Sequence, residues 1–133
     1  MPTIDKFLGL WTLESGDYEL GQPPQEGTYE ISMLEDNKVN FAMNWTDQAG
    51  ETHSMSYAEI ADGEVHAYEN QAIADEISLT LESDTVLNSV ARKEGAVVLT
   101  AVRELVSDNK MKVVMSGMLP DGRPYHNIAF YKK

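Results

Sequence analysis

Residues 38–45, KVNFAMNW, set Val39, Phe41, Met43 and Trp45 on one side of an extended chain and Lys38, Asn40, Ala42 and Asn44 on the other. Four consecutive steps of period two describe a half-buried β-strand and are incompatible with a helix face. The same alternation recurs. Tyr29, Ile31 and Met33 share a face in TYEISML, and Ile77, Leu79 and Leu81 share one in ISLTLES.

Between such runs stand Asp36-Asn37, Gly50, Asp62-Gly63, Glu94-Gly95, SDNK at 107–110 and PDGRP at 120–124, all turn chemistry. The result is about ten short strands at spacings of roughly 8–12 residues. The clearest hairpin is 96–119, where AVVLTAVRELV and MKVVMSGML flank SDNK. The first strand is expected at 7–13, preceded by a helical turn at 3–6 capped by Thr3. A breaker-rich loop is expected at 16–27, and residues 71–76 offer a single helical turn. Short connections favour an all-β, antiparallel up-and-down barrel of about eight to ten strands, with a sandwich as the other solution. One domain over 1–133 is the simplest division.

Twenty-two acidic against ten basic residues leave a formal charge of −12, which repels nucleic acid and anionic membrane surfaces. No apolar run approaches the roughly 20 residues that span a bilayer. No signal-peptide core opens the chain, so a cytoplasmic location is expected. The absence of cysteine excludes disulfides and thiolate chemistry. No nucleophile elbow, phosphate loop, zinc-binding helix motif or dinucleotide fingerprint occurs, and the expectation is a protein that is not an enzyme. His53, His66 and His126 fall on separate strands without metal-ligand spacing.

Within this acidic chain, Arg103 sits inside the oily run AVVLTAVRELV. An arginine there either turns outward to water or points inward, where it needs an anion. Parity places it with Leu99, Ala101 and Leu105, against Val98, Val102 and Glu104. Both sets contain apolar residues, so the alternation leaves its direction open. Arg92 ends a strand with Val86, Asn88 and Val90 on its parity, and is either a second inward cation or a solvated strand end.

Several stretches resemble the calycin superfamily, the lipocalins and fatty-acid-binding proteins. Gly9-Leu10-Trp11 is the G-x-W that opens those barrels, within FLGLWTLESGDYE. AVRELVSDNKMKVV is similar to the penultimate hairpin of intracellular lipid-binding proteins, and AFYKK to their closing strand. The resemblance implies a barrel around a pocket for a small apolar ligand. It implies that Arg103 faces that pocket and binds a ligand carboxylate. It implies a partner role for Tyr131, although the accompanying arginine of the family's Arg-x-Tyr is Ala129 here. The two lid helices of fatty-acid-binding proteins have no counterpart beyond the loop at 16–27.

The expected function is therefore non-catalytic binding of a fatty-acid-like or other apolar carboxylate. Arg103, Tyr131 and Arg92 are the polar candidates. Phe41, Met43, Trp45, Tyr29, Met33 and Met115 are the apolar wall, and Trp11 plugs the closed end. Flexible thioethers suit a pocket that accepts variable shapes. Two other readings stand beside it. HNIAFY also resembles the H-x-x-A-x-Y ending of nitrobindin-type barrels, which implies haem held by His126. A solid barrel acting as a protein-interaction module is the third. No cofactor is expected under the first reading.

Overall fold

The computed structural model describes residues 3–18, 23–68, 74–118 and 122–133. Ten strands follow a 3-10 turn at Asp5–Phe7. They are β1 (Gly9–Tyr18), β2 (Glu26–Met33), β3 (Lys38–Thr46), β4 (Thr52–Ile60), β5 (Val65–Ala67), β6 (Glu76–Ser83), β7 (Val86–Lys93), β8 (Ala96–Ser107), β9 (Lys110–Met118) and β10 (Pro124–Lys132). All belong to one antiparallel sheet in the order β4-β3-β2-β1-β10-β9-β8-β7-β6-β5. The first and last strands pair, with Tyr18 opposite Asn127 and Thr12 opposite Lys132. The sheet thereby curls into a barrel open along one seam, between β4 and β5. This is the expected all-β up-and-down barrel.

Turn chemistry fixes the hairpins. Between β7 and β8, Glu94 and Gly95 both take positive φ, 53° and 83°. Two successive left-handed residues match the right-handed twist of the strands they join. At the seam, the rings of Tyr57 on β4 and Tyr68 just after β5 lie 6.0 Å apart, so aromatic side chains cover what backbone pairing leaves open.

One end of the barrel is solid. Phe7, Trp11, Ile31, Val39, Phe41, Leu79, Leu87 and Met111 are buried in one apolar cluster there. Trp11 plugs it, as expected, and its indole N–H donates to the Phe7 carbonyl at 2.8 Å. The Lys133 ammonium lies 4.8 Å from the Trp11 ring centroid and donates to the carbonyl of Leu8.

Some local expectations change. The helical turn forms at Asp5–Phe7 rather than 3–6, with no side-chain cap, and Phe7 belongs to it instead of to β1. Thr3 uses its backbone N–H, which donates to Asp84. Residues 16–18 and 26–27, expected in the loop, extend β1 and β2. They do so because β10 and β3 supply ladder partners that override glycine's local preference. Of the helical turn expected at 71–76, residues 71–73 lie outside the described residues, and Glu76 already belongs to β6. Residues 120 and 121 of the expected PDGRP turn also lie outside them.

Candidate ligand-binding cavity

The direction of Arg103 follows from the burial along β8. Ala101, Arg103 and Leu105 are buried, whereas Val102 and Val106 are exposed. Leu87 faces Arg103 across the β7 ladder and Val113 faces it across β9, both buried. Arg103 therefore points inward and is only 1% exposed.

Its guanidinium is held by neutral groups. Nε donates to the Tyr29 hydroxyl at 2.7 Å, one terminal nitrogen to the Tyr57 hydroxyl at 2.7 Å, and the other to Ser89 Oγ at 3.3 Å. The Phe41 ring lies against its face, 4.3 Å from the guanidinium carbon to the centroid. Among the described residues, no carboxylate forms a salt bridge with it. Burial acts to lower its pKa, and the tyrosine oxygens together outweigh that and raise it, so the cation persists. Burial likewise pushes the Tyr29 phenol up to about 12, so Tyr29 is a neutral acceptor. Among the described residues, this buried positive charge thus has hydroxyl partners and no carboxylate in an ion pair with it.

Two chambers occupy the interior. The inner one, about 70 Å³, is bounded by Arg103, Tyr29, Tyr57, Tyr68 and Ser89 with apolar neighbours including Ala91, Leu99 and Ala101. The outer one, about 290 Å³, lies toward the mouth among Tyr18, Pro24, Trp45, Asn127 and Tyr131. Met43, Met55 and Met115 border both. A third concavity of about 600 Å³ lies along β2, β3 and β4, among Glu26, Thr28, Asn44, Thr46, Thr52 and Ser54. Trp45 and His53 also line it, and Arg103 takes no part in it, so it lacks the buried cation found inside.

The sequence candidates separate accordingly. Tyr29, Met43, Met115 and Arg103 meet in the inner chamber. Tyr131 and Trp45 border the outer one. The Tyr131 ring packs edge-on against Tyr29, with centroids 5.4 Å apart, which ties it to the group holding Arg103. Burial pushes its phenol well above the usual range. Trp45 stacks on His53, 5.4 Å between centroids. Phe41 lies under the guanidinium, a core residue behind the chamber rather than part of its wall.

Three candidates are corrected. Arg92 lies on the opposite parity from buried Leu87, Ser89 and Ala91, so its half-buried side chain belongs to the outer face and lines neither chamber. Met33 keeps the inward parity of Tyr29 and Ile31 but ends its strand, where it is 41% exposed. His126 alternates with inward Ala129 on β10, lies exposed on the outer face and bonds through Nδ1 to Ser116 Oγ. That position removes it as an axial ligand inside the barrel.

Tyr57, Ser89 and Met55 are inward residues the sequence reading did not single out. Tyr57 and Met55 alternate within HSMSYAEI, and the β3–β4 register sets them opposite Phe41 and Met43. That register was the signal available for them.

No protein-family model matches the chain, nor does any curated protein. Solved structures do. The fluorescent protein UnaG superposes with a TM-score of 0.63 over 98% of this chain and 99% of its own, at 17% identity. As-p18, an extracellular fatty acid binding protein, gives 0.63 over 100% and 99%, at 18% identity. The zebrafish ileal bile acid-binding protein complexed with cholic acid gives 0.59 over 96% and 98%, at 17% identity. At these identities the likeness shows the fold alone, a barrel like that of the fatty acid binding protein and the bile acid-binding protein.

Proposed function

We propose that this barrel binds a small, largely apolar molecule carrying an acidic group, and does so without turning it over. The observation that carries the reading is Arg103, buried, fixed by three neutral hydroxyls and bordering a cavity with apolar walls. Desolvating a guanidinium costs several kcal/mol, and the hydroxyls that compensate for it here bring no negative charge of their own. An anionic ligand head supplies the missing charge through charge-assisted hydrogen bonds. The apolar body of the ligand contributes about 25 cal/mol for each Å² removed from water. Proteins of like fold named for binding a bile acid or a fatty acid support the same general chemistry.

The test is calorimetric titration with dodecanoate and with dodecanol, its neutral counterpart. The acid is expected to bind more tightly, and Arg103→Leu to abolish the difference. Equal affinities in the wild-type protein, or a preference that survives Arg103→Leu, would overturn the reading.

A further inference from the structure

Among the described residues, three side chains border both chambers, and all three are methionines: Met43, Met55 and Met115. Met43 on β3 stands directly opposite Met55 on β4. Met115 on β9 stands between Ala101 of β8 and Asn127 of β10, on the part of the sheet reached from β3 through β2 and β1. Two of these unbranched thioethers come from neighbouring strands and the third from across the sheet, and together they mark the level at which the two chambers meet. Arg103 lies on one side of that level and the mouth on the other.

We propose that Met43, Met55 and Met115 form a septum that decides which ligand shapes reach Arg103. The inference rests on the binding reading above and adds the specificity to it.

The inner chamber, about 70 Å³, has room for a head group or a few water molecules and is too small for the whole body of a twelve-carbon or steroid acid. A ligand whose acid reaches Arg103 must therefore cross the methionine level, with its body in the outer chamber. Thioether side chains have three rotatable bonds and no branch, so they part for an object one methylene wide. A fused-ring skeleton would displace all three at once and press on the strands behind them, in an interior that does not deform smoothly. The septum selects flexible single-chain acids over rigid polycyclic ones.

Dodecanoate and cholate serve as probes of the two shapes. In the wild-type protein, calorimetry is expected to show dodecanoate binding at least about tenfold more tightly than cholate. Met43→Ala/Met115→Ala, which removes two sides of the septum, is expected to bring the two within about threefold by strengthening cholate. Should that variant fail to fold, methionine ε-methyl NMR on the wild-type protein provides the second measurement. Saturation with dodecanoate is expected to shift the signals of Met43, Met55 and Met115. Those of Met33 and Met118, exposed at 41% and 51%, are expected to stay in place.

Binding of both acids with equal affinity, or a ratio unmoved in a folded alanine variant, overturns the septum and leaves the binding reading intact. Stationary ε-methyl signals at dodecanoate saturation do the same. Binding of neither acid by the wild-type protein removes the binding reading, and the septum with it.

Discussion

Arg103 on β8 and Tyr29 on β2 stand 74 residues apart in the chain, yet a 2.7 Å hydrogen bond joins the guanidinium Nε to the phenol oxygen. The bond crosses the barrel interior, between strands that do not pair. It positions a charge that is 1% exposed among the core side chains of the barrel, with Tyr57 holding a second nitrogen. Tyr29→Phe keeps the ring and its edge-on contacts with Phe41 and Tyr131 but leaves a buried N–H without an acceptor. The expected loss is about 1–3 kcal/mol in urea denaturation. In an Arg103→Leu background the same change is expected to cost less, because no donor is then stranded. Equal costs in both backgrounds would show that the hydroxyl matters for some other reason.

Arg103→Leu has an opposite expected effect on stability and on binding. A leucine in that position sits among Leu87, Leu105 and Val113, and removes a desolvated charge that, among the described residues, no carboxylate bridges. Replacing buried ionic groups by packed apolar ones is often neutral or stabilising by about 1–4 kcal/mol. The ligand-free variant is therefore expected to unfold at the same or a higher urea concentration than the wild-type protein. A marked destabilisation would mean that the hydroxyl network, rather than a ligand, is what the arginine is there to organise.

Tyr29 also sets the alkaline limit of the fold. Its pKa stands at about 12 in the native state, chiefly through burial, against about 10 for an exposed phenol. The native state therefore holds this proton while the unfolded chain releases it. The stability linked to the raised value is complete below pH 10 and is lost as pH climbs through about 12. Tyr131 and Tyr18, both raised by burial, act with the same sign. Stability measured by urea titration is expected to fall with pH above 10, in step with the appearance of tyrosinate absorbance. The slope is expected to be shallower in Tyr29→Phe, and an unaltered slope would contradict the assignment.

The strand pattern was legible because each run announces its own face: Val39, Phe41, Met43 and Trp45 alternate whatever lies beside them. Arg103 was not decidable that way. Both parities of β8 carry apolar residues, and only the register with Leu87 and Val113, a non-local fact, turns it inward. The resemblance to lipid-binding barrels favoured that outcome. Arg92 shows the converse, since a plausible cation lies outside because of the parity of its neighbours. Tyr57 and Ser89 were hidden for a related reason. Nothing in HSMSYAEI or VLNSVARK marks a hydroxyl as the partner of a guanidinium across the barrel or on the neighbouring strand. The division of the cavity by three methionines depends on side chains from both sides of the barrel, which no local window contains.

Gly117 on β9 is required by a contact rather than by its backbone angles. Tyr125, its ladder partner on β10, lays its ring across the glycine, so that a Cβ there would stand 2.7 Å from the phenol oxygen and 2.9 Å from two ring carbons. An added methyl group therefore forces the ring to shift from its place over the strand. Gly117→Ala is expected to cost about 1–3 kcal/mol, the range for overpacking. Gly117→Ala/Tyr125→Ser is expected to recover part of it, since the obstructing ring is gone. If the double variant is no more stable than the single one in thermal denaturation, the steric account fails.

The seam between β4 and β5 is spanned by a four-residue connection, 61–64, whose Asp62 gathers three bonds. Its carboxylate accepts the Glu64 backbone N–H at 2.9 Å and meets His66 Nε2 at 3.0 and 3.1 Å. The hydrogen bond to Asp62 is the largest influence on His66 and raises its pKa. The Glu64 N–H, followed by His66, lowers that of Asp62. The signs then fix a window. The His66 contribution is full below about 6.5, its ordinary value, and is lost as pH rises through the higher native one. The Asp62 contribution is full above about 3.9 and is lost as pH falls through the lower native one. Both coexist between about pH 4 and 6.5, where the connection is tied most firmly. Because the pair is exposed to water, the consequence is local: amide exchange at 62–67, corrected for its intrinsic pH dependence, is expected to be slowest in that window. Asp62→Asn is expected to bring the His66 titration, followed by NMR, down toward 6.5. A midpoint that does not move would mean that Glu59 and Glu64, the other carboxylates acting on the ring, set its affinity for the proton.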